Sequence, residues 1–354
     1  MADSPSTDIA ERPSPEAIRD AVKGATLRAR DLADSLNVSE AQLLAAQSGQ
    51  GVTRIDPNPD RLIAAIPELG RVMALTRNES VVSERHGTYR DYRGGEHASM
   101  VLGPEIDLRI FPQYWQHGFA VEAETKTGIR RSFQIFDSAG DAVHKIYLPE
   151  DADSSSWNAL RDTLTVQNQS DSMQVSAREP VEDAIVKPER ASRLREEWDK
   201  MTDTHQFLMM VRRLKINRLG ANRMAGAPYA RPLAPGAVAS MLDALAERQI
   251  SHMMFVGNRG CIQIQSGRIS PIKPVGPWLN VLDPDFNLHL RGDHIAEVWA
   301  VNKPTRRGPA ISVEAFDSQG GLIMQFFGHR SETEDHYPEW TEVVDSLPEL
   351  EPAL

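Results

Sequence analysis

The chain of 354 residues contains one cysteine, Cys261, so no internal disulfide can form and the fold must rest on packing alone. A lone thiol also suits a reducing compartment. No apolar run approaches the ~20 residues that would span a bilayer. The acidic, Pro/Ser-rich residues 1 to 20 lack the basic-then-apolar order of a secretion signal. Positive charge is in deficit, with 39 Lys and Arg against 50 Asp and Glu and a formal net charge of -11. That balance disfavours non-specific attraction to nucleic acid or anionic membrane. Phosphate-binding loops, dinucleotide fingerprints and nucleophile elbows are missing as well. These absences point to a soluble, cytoplasmic protein with no nucleic-acid partner and no membrane insertion.

What the chain does contain is itself, twice. At a spacing of 180, Val101-Leu102, Pro104, Leu108 and Ala120-Val121 meet Val281-Leu282, Pro284, Leu288 and Ala300-Val301. Thr125, Gly128, Ser132, Phe136-Asp137-Ser138 and Gly140 meet Thr305, Gly308, Ser312, Phe316-Asp317-Ser318 and Gly320. Thirteen of the forty positions from 101 to 140 therefore repeat without a gap, where average residue usage gives about two or three. Upstream, Asn37, Asn78 and Gly87 meet Asn217, Asn258 and Gly267. Downstream the register slips by three, and Trp157 faces Trp340. The chain is a tandem duplication with a period too long for a solenoid. Each half is thus a control for the other: shared residues mark the scaffold, unshared ones are candidates for function.

Periodicity gives each half the same order, helices and then an antiparallel sheet, an α+β arrangement. Residues 1–14 read as a disordered tail, 15–166 as the first repeat, 167–188 as a polar linker and 189–354 as the second repeat. In the first repeat a helical pattern runs from Pro15 to about Asn37, followed by a capped helix over Glu40–Ala46 and a short helix from Asp60 to Leu69. Strands follow from Val72 onward, with Asp137-Ser138-Ala139-Gly140 as a hairpin turn. The second repeat begins with one helix from Glu189 to Leu214 and replays the rest.

The asymmetries are few. His205 faces Ala25, Arg218 faces Val38, Lys303 faces Ala123 and Arg330 faces Glu150. Singly, each has a plain explanation: a surface cation is usually solvated, and His205 sits on a stripe of Leu194, Trp198, Met201, Leu208 and Met209 that suits a satisfied core histidine. Together, an imidazole on a Met-rich face with three cations suits a flat apolar ligand bearing a metal and carboxylates, which is the chemistry of haem. The first half lacks this histidine and these cations, so a second tight site there is not expected. His86, His97 and His117 are scattered, and His329 and His336 make a weak metal pair. Cys261 reads as a small buried hydrophobe.

Three strings in the first half, Ile106–Phe111, Trp115–Val121 and Phe136–Lys145, resemble the bacterial hemin-degrading factor family of the HemS, HmuS, ChuS and PhuS type. In the second half Val256–Ile264, Pro277–Val281, Phe286–Arg291 and Gln325–Arg330 resemble it too. The likeness covers about residues 20 to 350. It implies a cytoplasmic haem-binding protein of an iron-acquiring uptake system, acting downstream of an inner-membrane haem importer. One haem (iron protoporphyrin IX) would bind in a cleft of the C-terminal half. By the same resemblance His205, in Thr204-His205, is the axial ligand. Arg109 meets the opposite face, and Arg218, Lys303, Gln325, Phe327 and Arg330 line the pocket or hold the propionates. The chain departs from the family pattern at Gln265, where many members have His, and at Phe327, where some have Tyr. Two mechanisms stay open: carriage to a haem oxygenase, or haem degradation with Arg109 in a catalytic role and electrons from a reductase. The competing expectation is a scaffold protein that kept the duplicated fold without the ligand.

Overall fold

The computed structural model of the chain describes residues 13–330 and 334–350. Most of the tail expected over 1–14 lies outside them, and Ser14 is already structural: its side chain caps the first helix by accepting from Ala17 N at 3.2 Å. In the first half the strands are β1 (Val52–Ile55), β2 (Val72–Arg77), β3 (Val81–Gly87), β4 (Tyr92–Arg93), β5 (Ser99–Leu102), β6 (Asp107–Ile110), β7 (His117–Glu124), β8 (Ile129–Phe136) and β9 (Ala142–Tyr147). The second half repeats them as β10 (Ala230–Leu233), β11 (His252–Gly257), β12 (Cys261–Gly267), β13 (Lys273–Val275), β14 (Trp278–Leu282), β15 (Phe286–Arg291), β16 (Glu297–Thr305), β17 (Gly308–Phe316) and β18 (Leu322–Gly328). Helices α1 (Pro15–Lys23), α2 (Ala29–Ser35), α3 (Glu40–Ala45), α4 (Pro59–Leu62) and α5 (Ser154–Leu164) are answered by α6 (Ala191–Asp199), α7 (Gln206–Arg213), α8 (Arg218–Ala225), α9 (Ala237–Glu247) and α10 (Tyr337–Asp345).

The boundary expected at 167–188 does not separate the two sheets. One sheet runs β1-β7-β8-β9-β2-β3-β15-β14-β13 and the other β10-β16-β17-β18-β11-β12-β6-β5-β4. Each half therefore sends three strands across to complete the other's sheet. The exchange pairs β3 with β15 and β12 with β6, so neither β3 nor β12 is left as an open edge. Its consequence for function is direct: β6, which carries Arg109, belongs to the sheet of the second half. The linker carries no helix or strand before Pro188 but is fastened throughout, as where Ser176 N donates to Ser138 O at 2.8 Å.

The repeated residues behave as scaffold. Asn78 Nδ2 donates to the carbonyl oxygens of Gly257 (3.0 Å) and Ile323 (2.8 Å), while Asn258 Nδ2 donates to those of Arg77 (2.9 Å) and Val143 (2.8 Å). Each asparagine thus stitches its own half to the other. Asp137 and Asp317 accept backbone N–H groups inside their hairpin turns. Those turns end at Gly140 and Gly320, whose φ of 82° and 89° favours glycine. Trp157 and Trp340 are fully buried at corresponding places on α5 and α10. Truncating either to Ala would cost about 3–5 kcal/mol.

Two long helices expected from periodicity are each broken. Residues 15–37 form α1 and α2, separated at Gly24–Arg28, and residues 189–214 form α6 and α7. The second break decides where His205 goes.

Candidate functional site

The break between α6 and α7 includes Thr202-Asp203-Thr204, whose short polar side chains compete with helical backbone bonding. Thr202 N donates to Gln206 Oε1 at 2.8 Å, and Asp203 Oδ1 accepts from His205 N at 2.8 Å. His205 consequently stands at the start of α7 rather than on a buried stripe, with its side chain 93% exposed. The same Asp203 Oδ1 lies 2.6 Å from His205 Nδ1. A carboxylate there fixes the tautomer with the proton on Nδ1 and leaves the Nε2 lone pair facing outward, the arrangement usual for metal-ligating histidines. Backbone and side-chain hydrogen bonds from His205 hold the Asp203 carboxyl below its ordinary range. Asp203 is a candidate site residue that the sequence reading missed; an Asp two residues before the histidine was the available signal.

Beyond His205, α7 buries Phe207, Met210 and Val211 and exposes Leu208 and Met209. Phe207 is the floor over which two of the expected cations sit, Lys303 Nζ at 4.9 Å and the Arg218 guanidinium at 5.3 Å from the ring centre. Both cations are committed to Glu314, a carboxylate with no solvent exposure. Glu314 Oε1 receives Lys303 Nζ at 2.7 Å, Arg218 Nη1 at 2.9 Å, Gln325 Nε2 at 2.9 Å and Ser312 Oγ at 3.2 Å. Asn222 Nδ2 donates to Oε2 at 3.2 Å. Burial alone would raise this carboxyl, but the two cations overcome it and take it to about 2. Burial, aided by Arg218, pushes the Lys303 ammonium down, against the pull of Glu314. Three expected pocket residues, Arg218, Lys303 and Gln325, are therefore brought together, but around a carboxylate of the protein. Glu314 was not foreseen: it faces Gln134 in the first half and looked like one more strand residue.

From Glu314 the sheet continues outward as an apolar floor. Register places Phe327 opposite Met253, Gln325 opposite Phe255, Ile264 opposite Asp107, Ile262 opposite Arg109, and Arg109 opposite Met100, so these side chains share one face. Phe255 and Phe327 meet edge to face with ring centres 5.1 Å apart, and both are half-buried. Arg109 stands on this face, ion-paired with Asp107 and donating to Leu108 O at 3.1 Å. Gln265 pairs with Met254 and lies on the opposite face, so the departure noted there falls away from the site. Arg330 sits near the β16–β17 hairpin, with Nη1 donating to Arg307 O at 2.9 Å, Asp335 at 3.4 Å and the Tyr337 ring at 4.2 Å.

A cavity of about 610 Å³ lies along the seam between the halves, bordered by Arg218, Phe255, Ile262 and Gln325 and roofed by Glu179–Glu182 of the linker. It touches the floor of the site, but neither His205 nor Arg109 lines it, so the exposed imidazole and not this cavity locates the candidate site. No cluster of three or more metal-ligating side chains occurs among the described residues. Burial pushes the Cys261 thiol up to about 12, in keeping with an inert small hydrophobe. No helix among the described residues is long and apolar enough to cross a membrane.

Comparison with known proteins agrees with this architecture. The family model described as the haemin-degrading HemS.ChuX domain matches residues 37–164 and again 215–347. The hemin transport protein HmuS of Yersinia pestis is 35% identical over 322 residues, covering 90% of this chain and 92% of that protein. The structure is similar to holo-PhuS, a heme-binding protein from Pseudomonas aeruginosa, with a TM-score of 0.90, 39% identity, and coverage of 96% of this chain and 100% of that one. It is also similar to ChuS, an E. coli heme oxygenase, with a TM-score of 0.84, 30% identity, and coverage of 93% and 98%.

Proposed function

Because the chain belongs to the family of haemin-degrading HemS/ChuX domains, we propose that it binds one haem between α7 and the open face of the second half's sheet. His205 Nε2 would take the iron and Arg109 would stand on the opposite side of the ring. The observation that carries this reading is the exposed His205 whose Nδ1 is already held by Asp203. Leu208, Met209, Phe255, Phe327 and Ile262 supply the apolar surroundings a porphyrin needs. Arg218, Lys303 and Gln325 form a charged floor with Glu314 that keeps one positive charge in excess, and Arg330 stands at the rim.

The haem is cargo or substrate. Bound iron would supply the redox chemistry, and the protein's own residues would orient the ring and keep water from it. Arg109, steadied by Asp107, can donate hydrogen bonds above the ring in a degrading protein and shield that face in a carrier. Relatives named for transport and for oxygenase activity lie at comparable distance. A cytoplasmic location, an importer upstream and a haem oxygenase or reductase as partner complete the proposal.

The test is a titration of the purified chain with hemin. A saturating one-to-one Soret shift is expected, weakened more than about 100-fold in His205→Ala, beyond the 10–100-fold typical of outer-shell changes. No shift at micromolar hemin would leave a scaffold without ligand. Adding a reductant, oxygen and catalase then separates the two mechanisms: a bilin and free iron mean degradation, and intact haem passing to an added oxygenase means carriage.

A further inference from the structure

The repeat carries one more asymmetry, this time in the core of the first half. Thr76, Tyr89, Trp115, His144 and Cys261 meet there, and at a spacing of 180 they fall on Val256, Ile269, Ile295, Met324 and Val81. All five matching residues belong to the apolar core of the second half. Thr76, Tyr89, His144 and Cys261 are at most 1% exposed, so their polar atoms must satisfy one another. Tyr89 Oη lies 2.6 Å from His144 Nε2, Thr76 Oγ1 lies 2.9 Å from His144 Nδ1, and Thr76 Oγ1 donates to Cys261 Sγ at 3.7 Å. Burial pushes the imidazole down to about 3, which keeps it neutral, and pushes the Tyr89 hydroxyl up. The arrangement that gives every hydroxyl and ring nitrogen a partner has one direction. Tyr89 donates to Nε2, Nδ1 donates to Thr76, and Thr76 donates to Cys261. Breaking any link strands a buried polar group.

This chain ends on the strand pair that carries Arg109 across the seam. Cys261 lies opposite Ile110, and the next pair is Ile262 with Arg109. Just before Cys261, the Gly260 carbonyl accepts from Phe111 N at 3.0 Å and from Trp115 Nε1 at 2.9 Å. The Trp115 indole lies nearly parallel to the His144 ring, with planes 25° apart and centres separated by 6.2 Å. His144 therefore braces β12 through Thr76 and Cys261, and the end of β6 through Trp115. Strand exchange as such does not need the brace. At the other crossing Arg291 N donates to Ser80 O at 2.8 Å, as Phe111 N does to Gly260 O, with apolar side chains at all five matching places. The network stands at the crossing that delivers Arg109 and not at its counterpart.

We infer that His144 is a positioning residue: with Tyr89, Thr76 and Cys261 it fixes β6 against β12 and so sets where Arg109 stands over the site. Arg109 bonds only its own strand neighbours, Asp107 and Leu108 O, so its place follows from that of β6. The inference rests on the haem reading above, which puts Arg109 beside the ring.

The experiment follows the C–O stretch of the reduced hemin complex of the full chain under carbon monoxide, with melts and Soret titrations alongside. A cationic donor near bound CO lowers that frequency, so Arg109→Ala is expected to raise it. His144→Met, after the second half's Met324, and the isosteric Thr76→Val are expected to raise it too. In an Arg109→Ala background neither should add a further shift, because the interaction lost is the same one. Thr76→Ser keeps the hydroxyl and should keep the parent's frequency. Hemin affinity rests on His205 and should change by less than about 10-fold in the two network variants. Variants that melt earlier yet keep the parent's frequency would reduce the network to packing and overturn the inference, leaving the haem reading intact. Should His144→Met not fold, Thr76→Val decides between these outcomes. An Arg109→Ala chain with the parent's frequency would overturn both the placement of Arg109 and the inference, and so would a parent that binds no hemin.

Discussion

The two halves bury the same kind of charged triad, built from different places in the sequence. In the first, Glu40 of α3 lies between Arg77 of β2 at 2.8 Å and Lys145 of β9 at 2.6 Å. In the second, Glu314 of β17 lies between Arg218 of α8 and Lys303 of β16. At a spacing of 180, Glu40, Arg77 and Lys145 fall on Gly220, Gly257 and Gln325, so the triads are not copies of each other. The first half lacks the second half's cations at the matching positions, yet it buries an arginine and a lysine of its own at others. A buried carboxylate between two cations is thus common to both helix–sheet contacts and does not mark a ligand site. What distinguishes the second half lies outside the triad, in Asp203 and His205 against Lys23 and Ala25. The linker adds a further difference, because its first stretch lies on the first half, where Gln42 Nε2 donates to Met173 O at 3.3 Å, before it crosses to the second.

The comparison breaks most visibly if either carboxylate is removed. Glu40→Ala and Glu314→Ala each leave two cations unpaired in the interior, and each should cost about 3–5 kcal/mol in denaturant melts. Only Glu314→Ala should also change hemin binding. Acid gives the same answer without mutation. For Glu40, as for Glu314, burial would raise the carboxyl, but Lys145 and Arg77 bring it down from 4.5 to about 2. A depressed folded-state pKa means stabilisation fully present above about pH 4.5 and lost as pH falls towards 2. Each carboxylate should contribute on the order of 3 kcal/mol of that loss. A melt that stays flat down to about pH 2 would refute it.

A smaller effect, confined to one half, is expected at Asp203. Asp203→Ala leaves His205 in place but frees Nδ1, so hemin affinity should fall by about 10–100-fold while thermal stability barely moves. A matched change at Lys23 in the first half should leave hemin binding unaltered. Equal hemin affinity in Asp203→Ala and the parent would show that the carboxylate does not prepare the imidazole.

The duplication, the α+β class and the turn and seam residues were legible because identity at a fixed spacing reports scaffold. Asn78 and Asn258, flagged only as a repeated pair, prove to be the cross-stitches between halves. The strand exchange was not legible, since pairing of β6 with β12 is a tertiary choice that leaves no local pattern. Nor was the exposure of His205. Spacing of three and four put it on the apolar stripe of one long helix, but that helix is broken where the Gln206 and Asp203 side chains accept the backbone N–H groups of Thr202 and His205. Glu314 stayed hidden for a related reason: a buried acid is recognisable only once its cations are seen around it.

The weakest link between the halves is the linker's own. Where it crosses the seam, Arg178 bonds Asp141 at 2.7–3.0 Å and the next residue, Glu179, pairs with Arg259. Arg178 is more than half exposed, so water competes for the pair and its geometry counts for little. Backbone anchors on either side do not depend on it: Ser176 N on Ser138 O in the first half, and Ile185 N on Asn217 Oδ1 in the second. Arg178→Ala should therefore cost at most about 1 kcal/mol in a melt and leave hemin affinity untouched. A larger loss of stability, or a changed hemin affinity, would mean that the linker couples the two halves through charge rather than through its backbone.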